Sequence, residues 1–182
     1  DRSGAIGCGF LRRAAPPAAA ARRAEGAGTR ARRTPTLAGV VAPAFNYPYG
    51  GMDPVTELAT LAQRHGVGCH VDACIGGFVL PFMEALGHDV PPWDFRVDGV
   101  TEMSADVHKY GYTAKGASVV LHRDADWFGH QFFLYDQWGS GLYGSPGVAG
   151  AKPAAPIATA WAVMQSLGHD GYVEIMRDLM GT

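Results

Sequence analysis

The chain has 182 residues, of which 47% are apolar, enough for one domain with a buried core. No apolar run reaches the roughly 18 residues of a bilayer-crossing helix, so no membrane span is expected. A formal net charge of −2 excludes an overall basic nucleic-acid binder, and Cys8, Cys69 and Cys74 form no CxxC pair and no metal-like cluster, which points to a reducing, cytoplasmic setting without a metal site.

The charge is unevenly spread. Residues 1–36 hold eight arginines against Asp1 and Glu25, and so carry six net positive charges, whereas residues 37–182 carry eight net negative ones. The same segment has ten alanines and shows no sustained apolar period. Three readings stand for it: a disordered basic arm for nucleic acid or anionic lipid, a transit peptide, or a non-native stretch joined out of frame to a genuine domain. The abrupt change at Leu37 favours the third, and no nucleic-acid function is assigned to it.

From Leu37 onward, elements alternate. "TLAGVVAPAF" is a buried-strand run, and "NYPYGG" turns it. "MDPVTELATLAQRHG" reads as a helix with Asp53 as N-cap, Pro54 at the first helical position and Val55, Leu58, Ala59, Leu61 and Ala62 on one face. "VGCHVDA" is a second strand with the glycine-rich exit "CIGGF". Strand, helix, strand within about 35 residues is a βαβ unit, hence an α/β chain with parallel strands buried under helices. "GFVLPFMEALG" predicts a short helix, "PPWDFRVDGV" a loop, and "TEMSADVHKYG" and "GASVVLHRD" two more strands. "KPAAPIATAWAVMQSLGHDGYVEIMRDLM" predicts a long helix, a break at Gly168–Gly171 and the start of another.

Two places invite chemistry. There are only three lysines, Lys109, Lys115 and Lys152, and the first two flank "YGYTA" directly after His108. The run after Lys115 alternates Ala117, Val119 and Leu121 as a half-buried strand would, so a lysine there is either partly desolvated, with a lowered pKa and a nucleophilic amine, or one of two solvated lysines on a loop. Asp72 ends an apolar strand, where α/β sheets bind ligands, with Ala73, Gly76 and Gly77 giving room for a flat ligand; the plain alternative is a helix cap. An acid at a strand end and a lysine 37 positions later match what pyridoxal phosphate needs, an acid on its ring nitrogen and a Schiff-base lysine.

"HVDACIGGFVLPF", "PPWDFRVDGVTEMSADVHKYGYTAKGASVVLHR" and "GLYGSPGVAGAKPAAPIATAWAVMQSLGHDGYVE" resemble the sphingosine-1-phosphate lyase family, a branch of the pyridoxal-phosphate group II decarboxylase-like proteins, from about Val40 to Glu174. The resemblance implies part of the aspartate-aminotransferase-like (type I) large domain, a mixed, mostly parallel sheet with helices on both faces. Residues 37–145 would be its second half, and 146–182 the start of a helical connection to a truncated small domain. It implies pyridoxal 5'-phosphate as cofactor, with Lys109 as Schiff-base lysine, Asp72 on the ring nitrogen, Ala73 against the ring and His108 near the cofactor phosphate. Lys115 would move protons or grip a substrate phosphate, and Tyr143–Ser145 would lie near the active site at a homodimer interface.

Pro43 stands where the family often has serine, and Lys152 where arginine is usual, which keeps the charge but loses the two-pronged geometry. The family's chain is more than twice this length, and nothing in residues 1–36 resembles its phosphate-cradling half. The intact parent is expected to be a carbon–carbon lyase releasing an aldehyde from a phosphorylated long-chain amino alcohol; an amino-acid decarboxylase and an inactive fragment are the alternatives.

Overall fold

The computed structural model describes residues 9–12, 37–47 and 49–181. Five strands form one sheet in the order β1 (Gly9–Arg12), β2 (Leu37–Pro43), β3 (Gly68–Asp72), β4 (Glu102–Ala105) and β5 (Val119–His122). β2, β3 and β4 run parallel, while β1 and β5 join the two sides antiparallel. The rest of the basic segment, including the arm, transit-peptide and non-native readings of it, lies outside the described residues.

Period-two alternation explains the sheet's two faces. Val40 and Ala42 of β2, Cys69 and Val71 of β3 and Met103 of β4 point one way and are buried. Against them packs α1 (Val55–Arg64), through Val55, Ala59 and Ala62, which recur at helical spacing. Ala59 and Ala62 are fully buried, so the helix backbone lies close to the strands. On the opposite face, α3 (Ala125–Gly129) sets the Trp127 ring over Gly68, where a side chain on β3 would meet it.

α1 starts one residue later than expected. Pro54 is not helical (φ −72°, ψ 77°) and no side chain caps the helix. Asp53 is instead buried, and burial raises its carboxyl pKa. "TEMSADVHKYG" is strand only over Glu102–Ala105; the remainder turns. β5 is neither alternating nor half-buried: Val119, Val120 and Leu121 are 37%, 48% and 44% exposed. It is the edge strand of the described sheet, and little besides α3 covers it.

A 3-10 turn (Gly76–Phe78) leads into α2 (Leu80–Ala85). Gly76 is required there, because a Cβ would collide with the carbonyl of Ala44. α4 (Ala154–Met180) is two helical pieces meeting at Gly168, whose φ of 59° breaks the helix where the sequence predicts a break. Between α3 and α4 lies a hairpin, β6 (Phe133–Trp138) and β7 (Gly141–Ser145), which the sequence reading does not anticipate. No described helix is long and apolar enough to cross a membrane.

Candidate active site

The site gathers at the carboxyl ends of β3 and β4. Asp72 is the last residue of β3, paired with Ser104 of β4. Its Oδ1 accepts from the Cys74 backbone N–H at 3.1 Å and from Ser104 Oγ at 3.3 Å. The backbone N–H of Asp106 donates to the Cys74 carbonyl at 3.2 Å, which ties the loop after β3 to the loop after β4. Lys109 stands one turn beyond Asp106, its N–H bonded to the Asp106 carbonyl at 3.1 Å.

That turn is tight. Tyr112 N–H donates to the Lys109 carbonyl at 3.1 Å, and Tyr112 itself is left-handed with φ 57°. A non-glycine residue there stores about 1–3 kcal/mol of strain, a cost that clusters at functional turns. Gly111 is glycine for space, since a Cβ would strike the Val107 backbone. Tyr172 of α4 donates its hydroxyl to the Gly111 carbonyl, fixing the lysine turn from outside.

The lysine is not the lowered-pKa amine that partial desolvation suggested. Burial does pull its pKa down, but the Asp106 carboxylate, 2.8 Å from Nζ, and the Cys74 thiol pull harder the other way, and the net shift is upward. Asp106 is the complement. Burial raises its pKa, and bonds from Lys109 and from Ser118 Oγ (2.5 Å) outweigh that, leaving it below the ordinary carboxylate range. Lys109 is therefore a paired ammonium that must give up a proton before it can attack a carbonyl.

Of the sequence-singled residues, Asp72, His108 and Lys109 come together. His108 Nδ1–H donates to the Ala117 carbonyl at 2.7 Å, and its Nε2 lies 3.9 Å from Asp106 Oδ2. Ala73 points away, buried in the apolar core. Lys115 is exposed, with no hydrogen-bond or ion-pair partner among the described residues. Cys74 is the residue sequence reasoning passed over. Its thiol feels both Lys109 and Asp72; burial is the largest influence on it, and the net effect raises its pKa, so it stays a neutral thiol. The missed signal is position: Cys74 follows the strand-end acid by two residues, in the turn that leaves β3.

These residues suit pyridoxal phosphate. Asp72 Oδ1 accepts from the Cys74 N–H and from Ser104, which leaves the carboxylate acceptor capacity for a ring N–H. Lys109 and Asp72 both act on the small, uncharged Cys74 side chain, which therefore lies close to the acid and to the amine.

An α/β sheet with an acid and a lysine at neighbouring strand ends is the arrangement of the pyridoxal-phosphate enzymes of this fold. Residues 32–182 match the pyridoxal-dependent decarboxylase conserved domain, and the chain belongs to that family. It is 47% identical over 143 residues to sphingosine-1-phosphate lyase of Dictyostelium discoideum, covering 79% of this chain and 27% of that protein. Sphingosine-1-phosphate lyase 1 of Mus musculus is 47% identical over 137 residues, covering 75% and 24%. Among solved structures, the sphingosine-1-phosphate lyase of Burkholderia pseudomallei superposes with a TM-score of 0.72 at 48% identity, over 77% of this chain and 32% of that one. A glutamate decarboxylase of Lactobacillus brevis does so at 0.61 and 27%, over 75% and 32%. The chain thus spans about a quarter of these curated relatives and about a third of these solved chains.

Proposed function

We propose that this chain carries the lysine and ring-nitrogen acid of a pyridoxal-phosphate-dependent carbon–carbon lyase, and that the whole protein cleaves a phosphorylated long-chain amino alcohol to an aldehyde. The observation that carries the reading is the Asp72–Cys74–Lys109 cluster, in which acid and amine both act on one small side chain. The relatives that bear the lyase name supply the substrate class.

When bound, pyridoxal phosphate supplies an electron sink for the pair released by the breaking Cα–Cβ bond. Asp72 would keep the ring nitrogen protonated, with Ser104 and the Cys74 N–H holding its Oδ1. The Cys74 side chain, close to both Asp72 and Lys109, would help hold the cofactor there. Asp106 holds the Lys109 amine as an ammonium and in place, and Ser118 keeps that carboxylate aimed. His108, braced on the Ala117 carbonyl, would help hold the cofactor phosphate. Lys115, exposed and without a partner, is free to reach an anionic substrate group. Residues 37–145 act as the second half of the cofactor-binding domain and 146–182 as the start of the connection beyond it. The parent acts as a homodimer in the cytoplasm.

An amino-acid decarboxylase would use the same acid and lysine, and the glutamate decarboxylase superposition favours that as second reading. The experiment is product analysis with a full-length protein containing this chain. Release of a long-chain aldehyde and phosphoethanolamine supports the lyase; carbon dioxide from an amino acid, without aldehyde, overturns it.

A further inference from the structure

A line of polar side chains crosses the sheet face that carries Asp72. Strand register sets His70 opposite Glu102 and Asp72 opposite Ser104, and alternation puts all four on one face. Ser104 Oγ lies 3.3 Å from Asp72 Oδ1 and 3.1 Å from His70 Nε2. His70 Nδ1 lies 3.6 Å from Glu102 Oε2. All four residues are half-buried.

Hydrogen accounting gives the line a direction. Ser104 has one proton, and an ionised Asp72 only accepts, so that proton goes to Oδ1. The second bond of the Ser104 oxygen must then come from a His70 Nε2–H. With Nδ1 also protonated, the imidazole joins Ser104 to Glu102. With Nδ1 bare, its lone pair opposes the Glu102 carboxylate and that end of the line is lost. The charged or titratable groups on the flanking strands are few: Glu102 on β4, His122 opposite it on β5, and Asp72 on β3 itself; Val41, opposite His70 on β2, carries none. Neither His70 nor Glu102 has a part in the proposed chemistry, yet both are joined to the acid that does.

We propose that His70 and Ser104 are positioning residues for Asp72: they hold Oδ1 so that Oδ2 faces the cofactor's ring nitrogen, and they relay the protonation of His70 to that carboxylate. The proposal rests on Asp72 being the ring-nitrogen acid. Ser104 is the physical link. A hydrogen bond to a charged group is stronger than a neutral one, and losing it leaves the Cys74 N–H to hold Oδ1 without the hydroxyl.

The test has two arms. In the first, the chain alone is labelled with carboxyl-13C aspartate, and the Asp72 signal, identified by its loss in Asp72→Asn, is followed with pH beside the His70 imidazole signals. The relay requires a second inflection of the Asp72 carboxyl at the pH where His70 titrates. That inflection should vanish in Ser104→Ala and His70→Gln and survive in Ser104→Thr, which keeps a hydroxyl. A wild-type curve without it, or one in which it persists in Ser104→Ala, overturns the relay. In the second arm, binding of pyridoxal phosphate itself is measured. Ser104→Ala should weaken it about tenfold. Unchanged binding in Ser104→Ala beside weakened binding in Asp72→Asn overturns the positioning role alone; unchanged binding in Asp72→Asn overturns the assignment of Asp72 on which it rests.

Discussion

The Tyr172 hydroxyl, in the second piece of α4, donates to the Gly111 carbonyl at 2.9 Å across 61 positions of sequence. Its ring stacks on Phe82 of α2 at 5.1 Å, and it is 5% exposed. A helix that adds nothing to the sheet therefore holds the turn that carries Lys109. Tyr172→Phe keeps the ring packing and leaves a buried carbonyl without its donor, so a loss of about 1–2 kcal/mol is expected. Urea denaturation of the two forms checks it; equal midpoints would assign Tyr172 to packing alone.

Asp106 sets the charge of Lys109, and the pH dependence follows. The lysine's folded pKa is raised, so the stability it contributes is present below its unfolded value, about 10.4, and is lost as pH rises through the folded one. The folded pKa of Asp106 is lowered, so its contribution is present above about 3.9 and is lost as pH falls through the folded value. Asp106→Asn removes the partner. At pH 8 to 9 the amine is then more often neutral, and Lys109 should react faster with an acylating reagent, read by peptide mass spectrometry. Slower or equal labelling would show that Asp106 does not hold the proton.

Cys74 offers a steric test. Cys74→Phe fills the space beside Asp72 and Lys109 without touching either charge, and it should abolish retention of pyridoxal phosphate while Cys74→Ser keeps it. Ala73→Ser is the contrast: it places a hydroxyl in the apolar core and should cost stability, of order 1–3 kcal/mol, before it costs cofactor affinity. Both are read by cofactor absorbance beside thermal unfolding. Retention in Cys74→Phe would remove Cys74 from the site.

The core of the fold was legible where burial is decided locally. "TLAGVVAPAF" and "VGCHVDA" are apolar enough to belong only inside, and Gly168 breaks a helix whatever surrounds it. The hairpin β6–β7 was not legible, because its strands, except for Ser145, face solvent in this chain and their aromatic residues have no core whose alternation could be read. α3 did leave a signal: Asp124, immediately before this short helix, caps it by accepting from the Trp127 N–H three residues on at 2.9 Å. In the site, Asp72 and Lys109 could be found because so few residue types serve their chemistry. Asp106 was equally visible, an acid three residues before the lysine. Weighing desolvation alone gave the lysine's shift the wrong sign.

Lys115 and Lys109 are the last pair to separate. Lys109 is held by Asp106 and lies beside Cys74, whereas Lys115 is exposed and has no partner among the described residues. The turn between them is fixed by the bond from Tyr112 N–H to the Lys109 carbonyl and by Gly111 packed on Val107, so the two amines cannot exchange places without breaking it. Borohydride reduction after adding pyridoxal phosphate should therefore mark the peptide at Lys109. Lys109→Ala should lose the mark altogether. Lys115→Ala should keep it and, in a full-length protein, lose most turnover on a phosphorylated long-chain amino alcohol, because an exposed amine six residues away acts on substrate and not on cofactor. Replacing Lys115 by arginine should restore turnover in part if its work is to grip a phosphate, and not at all if it is to move a proton, since arginine keeps its own at every accessible pH. A mark on Lys115 would overturn Lys109 as the Schiff-base lysine, whereas full turnover in Lys115→Ala would return Lys115 to the surface of the protein and leave Lys109 as the sole amine of the site.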